Sequence, residues 1–570
     1  MSSPLNPAQA EAVRRADVPM LVLAGAGSGK TRVITAKIAH LVATGTDPSR
    51  VVAITFTNKA AREMRERANA LLAAAGRRDD AAKVRIATFH ALGLSIVRAE
   101  SKALGLKPGF SVLDPQDLES IVAELVATAD RSRTRKAQGK ISQWKNALAT
   151  PAEALRRAKD DEEVVAAKAY ARYADALAAY QAVDFDDLIR LPVELLERDA
   201  EARARWQARS EHVLVDEYQD TNPAQYRLFR ALVGERARFT AVGDDDQAIY
   251  GWRGATLENL AQLPRDYPAL VVVKLEQNYR STTRILASAN ALIANNPKLH
   301  EKRLWSDRGH GDAIRVVAAR DEETEAESVA SAISAHRFEH RGRWSDYAVL
   351  YRGNHQARAF EAALRAQSIP YEVSGGQSWF DRAEIKDLVA YLRLIANEDD
   401  DPAFLRAVAV PKRGIGQTTL AKLAEAAAAR RESLAAAVRA PAFADAAQVR
   451  AHAALVEFTR LLDGLRHRAP REPAGRLIDE LARAIGYEDH LLATFDKREA
   501  AARIESVRDF TGWLARKGEA DRKTLLDLTQ MIALITMLEG REGEDVDAVR
   551  LSTLHAAKGL EFPHVFLVGL

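Results

Sequence analysis

The 570-residue sequence contains no cysteine. Disulfides, thiol nucleophiles, cysteine zinc sites and iron–sulfur clusters are therefore excluded from it. Long apolar runs are missing too. The longest, Pro19 to Ala26 and Val565 to Leu570, fall far short of the about 20 residues needed to cross a bilayer. The opening stretch, MSSPLNPAQAEAVRRAD, has no apolar core of the signal-peptide kind. An excess of one charge is also lacking: the formal net charge is only +3. That balance does not announce a polyanionic partner, although a basic groove can sit inside a balanced total. Acidic patches such as Glu398 to Asp401 and basic ones such as Arg131 to Lys136 read as solvated surface. The expected protein is soluble, cytoplasmic and free of membrane contact.

What is present is ordinary globular material, 47% hydrophobic and 28% charged. The length suits about three to five domains of roughly 100–200 residues each. No fixed-period repeat and no low-complexity linker interrupts it. Between residues 20 and 90, apolar runs at 20–24, 51–56 and 84–89 alternate with stretches that are apolar at helical spacing. This alternation predicts parallel sheet with crossover helices, an α/β fold. Residues 91–183 lose it and read as helix. Strand patterns resume at 212–217, 238–244 and 270–277, so a helical segment is inserted into the first α/β domain. A second α/β run has strands at 314–319, 347–352 and 371–376. It gives way to helix over about 378–545 and returns at 548–555 and 564–570. A doubly wound sheet rarely stops on its last strand, so the sequence reads as cut after Leu570.

The strongest chemical signal is LVLAGAGSGKT. Gly25, Gly27 and Gly29 let successive N–H groups turn toward an anion, and the helix starting near Lys30 adds its dipole. Lys30 suits the β- and γ-phosphates of a nucleotide, and Thr31 suits Mg²⁺. The strict pattern has glycine at position 24, where this chain has Ala24. In VLVDEYQDTN an apolar strand delivers Asp216 and Glu217 to a sheet edge. Asp216 suits Mg²⁺ and Glu217 a general base for water; a bare strand-end cap is the simpler alternative. In VGDDDQAIYGWRGA, Gln247 follows another strand end as a candidate γ-phosphate sensor. In LEQNYRST, Arg280 is a candidate donor to the γ-phosphate and Tyr279 a candidate to stack on adenine.

Aromatic residues recur at the exits of these strands. Phe56, Phe89 with His90, and Tyr250 and Trp252 beside Arg253 all follow strands, and Phe185 lies near the end of the helical segment. Each fits either a core position or a surface on which a base stacks, and their recurrence beside one phosphate loop favours a single-strand track. Thr55, Asn58, Thr88 and His90 add polar groups suited to phosphates. In PKRGIGQTTL, Gly414 and Gly416 precede a helix whose free amides suit a duplex phosphate; a plain helix–loop–helix turn accounts for them equally.

Taken together, the set resembles the UvrD/Rep/PcrA group of superfamily 1 DNA helicases. NPAQAEAV resembles its Q motif, AGAGSGKT motif I, ITFTNKAAREM motif Ia and ATFHALG motif Ib. VDEYQDTN resembles motif II, VGDDDQAIYGWRGA motif III, LEQNYRST motif IV and RLSTLHAAKGLEFPHV motif V. The stretches at 142–148, 349–356 and 374–394 are similar to the Rep branch of the group. The resemblance implies two RecA-like motor domains with parallel sheets, each carrying a largely helical insertion. The first motor would comprise 1–90 and 191–277, with its insertion at 91–190. The second would comprise 278–376 and 546–570, with a mobile, duplex-contacting insertion at 377–545 on hinges near Gly375–Gly376 and Gly540–Gly543.

The resemblance further implies that the loop residues Ala24, Gly25, Ala26, Gly27, Ser28, Gly29, Lys30 and Thr31 hold ATP with Mg²⁺. Gln9 would recognise adenine between Arg32 and Tyr279, and Glu561 would contact the ribose. Lys30, Thr31, Asp216, Glu217, Gln247 and Arg280 would form the hydrolysis site. Phe56, Phe89, His90, Phe185, Tyr250, Trp252, Thr553 and His555 would line the single-strand track. The implied partners are single-stranded DNA, junctions of single and double strands, and replication or repair proteins. The implied protein is a monomer or a DNA-induced dimer that moves 3′ to 5′. The family continues into a motif VI resembling ERRLxYVGITRA, and no such string occurs here. The alternative expectation is therefore a fragment that binds nucleotide and single-stranded DNA with little turnover.

Overall fold

The computed structural model describes residues 5–128, 130–374, 382–430, 432–538 and 546–570. Twelve strands are formed among them: β1 (Met20–Ala24), β2 (Val51–Thr55), β3 (Arg85–Thr88), β4 (Ser111–Val112), β5 (Ala182–Val183), β6 (His212–Val215), β7 (Phe239–Gly243), β8 (Val271–Leu275), β9 (Tyr347–Tyr351), β10 (Tyr371–Val373), β11 (Val549–Thr553) and β12 (His564–Leu567). The predicted α/β class with parallel sheets is the one observed. The chain divides into two compact units, Met1–Gly309 with Ala383–Leu538, and His310–Arg382 with Glu539–Leu570.

The first unit is built on a six-stranded sheet in the order β3-β2-β6-β7-β1-β8, every pair parallel. Its strands read as unbroken apolar runs because both faces are covered. Leu21 and Leu23, Val52 and Ile54, and Val213 and Val215 share one core with Phe89, Leu92 and Ile96. The alternate residues Met20, Val22 and Ala24, Val51 and Ala53, and Leu214 and Val242 share the other with Val33, Ile34 and Ile38. The chain leaves β1, crosses past two strands to β2, and returns on the far side of β1 with β8. Ligands of open parallel sheets bind beyond the carboxyl ends of the strands at such a reversal. Since all six strands point one way, every strand-end motif reaches that same edge.

The first helical segment lies between the helices Phe89–Ala99 and Asp187–Arg198. It is largely helical, as expected, with β4 and β5 pairing within it. Two-residue strands are too short to carry a periodic signal. Its interior holds a charged knot. Lys145 Nζ donates to Asp184 Oδ2 at 2.6 Å and to Asp187 Oδ2 at 2.9 Å. Tyr173 Oη donates to Asp184 at 2.8 Å, and Asn146 Nδ2 donates to Asp186 at 2.8 Å. Burial works against the Lys145 charge, but the two carboxylates outweigh it and hold its pKa above the ordinary value. This explains why WKN and DFDD occur together in one chain: the former anchors the latter, and with it the intervening Phe185. Breaking a buried ion pair by removing one partner costs about 3–5 kcal/mol. Lys145→Met is accordingly expected to lower the midpoint of urea unfolding, with the change read by the fluorescence of nearby Trp144. An unchanged midpoint would contradict the assignment.

The second helical segment runs from the helix Ala383–Ala396 to the helix Leu525–Leu538. It packs on the first. Asn397 Nδ2 donates to Tyr180 O at 2.9 Å and to Ser111 Oγ at 3.2 Å, and Gln530 Nε2 donates to Phe110 O at 3.1 Å. Arg393 joins Asp400, at 2.9 Å, to Asp117 across this contact. The glycines expected to act as hinges, at 375, 376, 540 and 543, lie outside the described residues.

The second unit has a four-stranded parallel sheet in the order β10-β11-β9-β12. Its core joins Val349, Tyr351, Val549 and Leu551 to Ile333, Phe360 and Leu364. The strand expected at 314–319 is not formed: the segment is irregular, with Val316 94% exposed. Strand propensity is expressed only where a neighbour completes the ladder, and among the described residues none pairs with this stretch.

Candidate active site

The loop after β1 owes its path to its glycines. Gly27 and Gly29 have φ of +65° and +88°, values that other residues rarely adopt. They are also crowded. A Cβ on Gly27 would lie 2.6 Å from Asn278 Nδ2, and one on Gly29 would lie 2.8 Å from Gln9 Nε2. Ala24 ends β1 in the core, so the residue that departs from the strict glycine pattern sits before the turn and leaves it unhindered. Ser28 is buried, its hydroxyl donating to Gly25 O at 2.7 Å. Gly29 N-caps the helix Lys30–Ala43, whose first turn carries Lys30, Thr31 and Arg32.

Side chains from four strand ends meet here. Lys30 Nζ lies 2.8 Å from Glu217 Oε2 and donates to Gln247 Oε1 at 3.2 Å, and its side chain is 11% exposed. Glu217 holds a left-handed φ of +50°, a strained backbone that turns it out of the strand line beside buried Asp216. Burial first, and then the Glu217 carboxylate, push the Asp216 pKa up to about 7. Charge is thus costly at Asp216 until a cation offsets it. A hard divalent ion with oxygen ligands would do so, and Asp216 with the Thr31 hydroxyl is a fitting donor pair.

Two residues in the quoted motifs were not singled out from the sequence, yet they hold the site together. Gln219 Nε2 donates to Glu217 Oε2 at 2.6 Å, while its Oε1 accepts from Asp244 N at 2.9 Å. It thereby ties the β6 end to the β7 end. Asn278 Nδ2 donates to Ala26 O at 2.6 Å, and its Oδ1 accepts from Arg280 N at 2.9 Å and Ser281 N at 2.8 Å. It ties the β8 end to the phosphate loop, helped by Tyr279 N donating to Gly27 O at 2.8 Å. Their signal was position within DEYQD and EQNYR, but an amide's role is set by neighbours that only the fold supplies.

The N-terminal helix Pro7–Arg14 closes another side. Gln9 is fully buried, and its Nε2 donates to Ser28 O at 2.9 Å. Asn6 Nδ2 donates to the Tyr279 hydroxyl at 2.8 Å. Gln9, Tyr279 and Arg280 are therefore gathered around the loop. Glu561, Thr553 and His555 belong to the second unit, where Thr553 ends β11 and its hydroxyl accepts from Ala556 N at 3.2 Å.

The expected track residues divide by burial. Trp252 is 67% exposed, with Tyr250 beside it at a ring separation of 6.5 Å. The Arg253 side chain lies outside the described set. His90 and Phe185 stack at 3.6 Å, joining the β3 end to the charged knot. Burial pushes the His90 imidazole down to about 3, so near pH 7 it is neutral and offers a hydrogen bond rather than a charge. Phe56 is half-buried and packs on Phe89 at 5.4 Å. Thr55, Thr88 and Phe89 differ from the surface role expected of them, each being 1% exposed. Phe89 fills the core, and the Thr88 hydroxyl caps the following helix by accepting from Ala91 N at 3.1 Å. The physical reason is that both faces of this parallel sheet are covered at these strand ends. Asn58 opens a helix capped by Thr57. Gly414, with φ of +71°, and Gly416 lie exposed just before the helix Gln417–Arg430.

Known proteins agree with this layout. The model for the UvrD/REP helicase N-terminal domain matches residues 5–268, and that for the UvrD-like helicase C-terminal domain matches 273–570. The chain is 47% identical to ATP-dependent DNA helicase Rep of Salmonella typhimurium and to that of Escherichia coli, over 99% of its own length and 85% of theirs. It is 39% identical to ATP-dependent DNA helicase PcrA of Bacillus subtilis, over 100% of its own length and 77% of that protein's. Family models for both halves, matched along a chain whose motif-bearing strand ends meet at one sheet edge, make it a member of the UvrD/Rep helicase family and an enzyme of that kind.

Proposed function

We propose that the chain is an ATP-driven DNA helicase that moves 3′ to 5′ along single-stranded DNA, acting in replication or repair in the cytoplasm. The observation that carries this reading is the meeting of Lys30, Glu217 and Gln247 at one edge of the sheet. The loop 24–31 holds the phosphates, and Lys30 moves its charge from Glu217 to the β- and γ-phosphates when they arrive. Release of Glu217 frees a carboxylate to accept a proton from the attacking water. Gln247 and Arg280 address the γ-phosphate, while Gln9, Arg32 and Tyr279 hold the adenine. Thr31 and Asp216 would hold Mg²⁺, which neutralises phosphate charge when bound. Trp252, Tyr250, Phe56 and the His90–Phe185 stack form the single-strand track, and Phe89 supports it from within. Asn58 and Arg253 supply polar contacts, and Gly414 and Gly416 contact duplex phosphate.

The test is ATP turnover with and without single-stranded DNA, together with strand separation on duplexes bearing either a 3′ or a 5′ tail. DNA-stimulated turnover and separation of the 3′-tailed duplex are expected. Trp252→Ala should weaken single-strand binding by about 1–3 kcal/mol, the worth of one base–aromatic stack. Preference for the 5′ tail would reverse the polarity, and stimulation by RNA alone would change the substrate. Tight binding of nucleotide and DNA without turnover would reduce the chain to a binding fragment.

A further inference from the structure

Asp244, Asp245 and Asp246 follow β7 and bring one carboxylate oxygen each within 4.8 Å of one another. Three adjacent carboxylates repel, and they need a cation. The chain supplies its own. Lys302 Nζ lies 2.7 Å from Asp244 Oδ1 and 2.9 Å from Asp246 Oδ2, and it also pairs with Asp245. Its side chain is 3% exposed. Lys302 belongs to an irregular strap that follows the helix Thr283–Ile293. His300 N donates to Asp245 Oδ2 at 3.3 Å, Trp305 N donates to Glu276 O at 3.1 Å, and Trp305 O accepts from Asn278 N at 2.7 Å. Leu304 packs over the phosphate loop, its Cδ2 lying 2.1 Å from where a Cβ on Gly25 would stand. One short segment thus touches the β7 end, the β8 end and the phosphate loop.

The two oxygens of Asp244 have different tasks. Oδ1 faces Lys302, and Oδ2 accepts from Gln247 Nε2. A carboxylate only accepts and an ammonium only donates, so this pairing settles which end of the Gln247 amide faces which way. One of the two Nε2 hydrogens goes to Asp244. Oε1 is the atom turned toward Lys30, from which it accepts at 3.2 Å. We propose that Lys302 is a positioning residue for ATP hydrolysis: by pairing with the Asp244–Asp246 cluster it holds Asp244 in place, and Asp244 presents the carbonyl oxygen of Gln247 to the reacting centre. That oxygen serves as an acceptor, for Lys30 as the structure shows it and for the attacking water once Lys30 has moved to phosphate. The inference rests on the reading of Lys30, Glu217 and Gln247 as the hydrolysis site.

Misplacing a catalytic group by about 1 Å can cost on the order of 10²-fold in rate. Lys302→Met is therefore expected to lower kcat for DNA-stimulated ATP hydrolysis by roughly 10-fold to 10²-fold. KM for ATP and the affinity for a fluorescent ADP analogue should stay near the parent values, because the loop's own amides and Lys30 carry most of the phosphate binding. In a Gln247→Ala background, Lys302→Met should cause no further loss. Should Lys302→Met fail to fold, Asp244→Asn serves instead, since it leaves Lys302 two carboxylates and the amide loses only its strong acceptor. The same kcat-selective, non-additive loss is expected there. An unchanged kcat, losses that multiply with Gln247→Ala, or a matching loss of ADP affinity would each overturn the positioning role. Parent protein that shows no DNA-stimulated turnover, or turnover that survives Lys30→Ala, would instead overturn the underlying site assignment.

Discussion

Lys30→Ala should reduce DNA-stimulated ATP turnover by at least about 10²–10³-fold, the usual cost of one preorganised charge donor. Two physical losses combine. The first is the ammonium that faces phosphate charge as it develops in the transition state. The second is the ion pair that Lys30 makes with Glu217 at 2.8 Å. Without Lys30, Glu217 loses that ion pair beside buried Asp216, whose pKa the Glu217 carboxylate already helps to raise. The variant should therefore bind ATP more weakly as well as turn it over more slowly. Steady-state turnover and titration with a fluorescent ATP analogue separate the two effects. Retention of parent-like turnover would remove Lys30, and with it the phosphate loop, from the reaction.

Glu217→Gln should behave differently. The glutamine is isosteric, keeps the left-handed turn at φ +50°, and still accepts from Gln219 Nε2. It cannot take a proton from water. General-base catalysis typically contributes about 10²–10⁴-fold, and that is the expected fall in single-turnover hydrolysis. Nucleotide affinity should hold or rise, because a negative charge near the phosphates is removed. ATP and single-stranded DNA should then be held together, so the variant ought to remain on DNA longer than the parent in a dissociation assay. The contrast between the two variants is the informative part: Lys30→Ala should lose binding and chemistry, Glu217→Gln chemistry alone. A Glu217→Gln protein with full turnover would mean that water is activated elsewhere and that the DEYQD carboxylates serve only as a strand-end cap.

Phosphate-loop residues were legible because local chemistry dictates them. A left-handed turn needs glycine at 27 and 29, and a helix N-terminus needs only the chain's own amides. Strand ends were equally legible, since apolar runs covered on both faces look alike in any parallel sheet. The strand expected at 314–319 failed for the opposite reason: a ladder is a property of two segments, and one apolar run cannot report whether it has a neighbour. Burial at the strand ends failed in a related way. Phe89 and Trp252 are both aromatic residues after strands, yet one is 1% and the other 67% exposed. Nothing in the spacing of either residue distinguishes them.

The sequence by itself determined the α/β class, the phosphate-loop chemistry, and the order of the motifs that mark a helicase. Each depends on periodicity or on residues adjacent along the chain. Tertiary structure alone decided how those motifs are held. Gln219 bridges two strand ends, Asn278 pins the phosphate loop from 252 residues away, Lys145 anchors the aspartates that flank Phe185, and Lys302 answers three carboxylates more than 50 residues before it. Amides and ammonium groups like these are common on any surface. They gain a specific role only when burial strips away water and leaves one partner within hydrogen-bonding distance, a condition set by chain segments far apart in sequence.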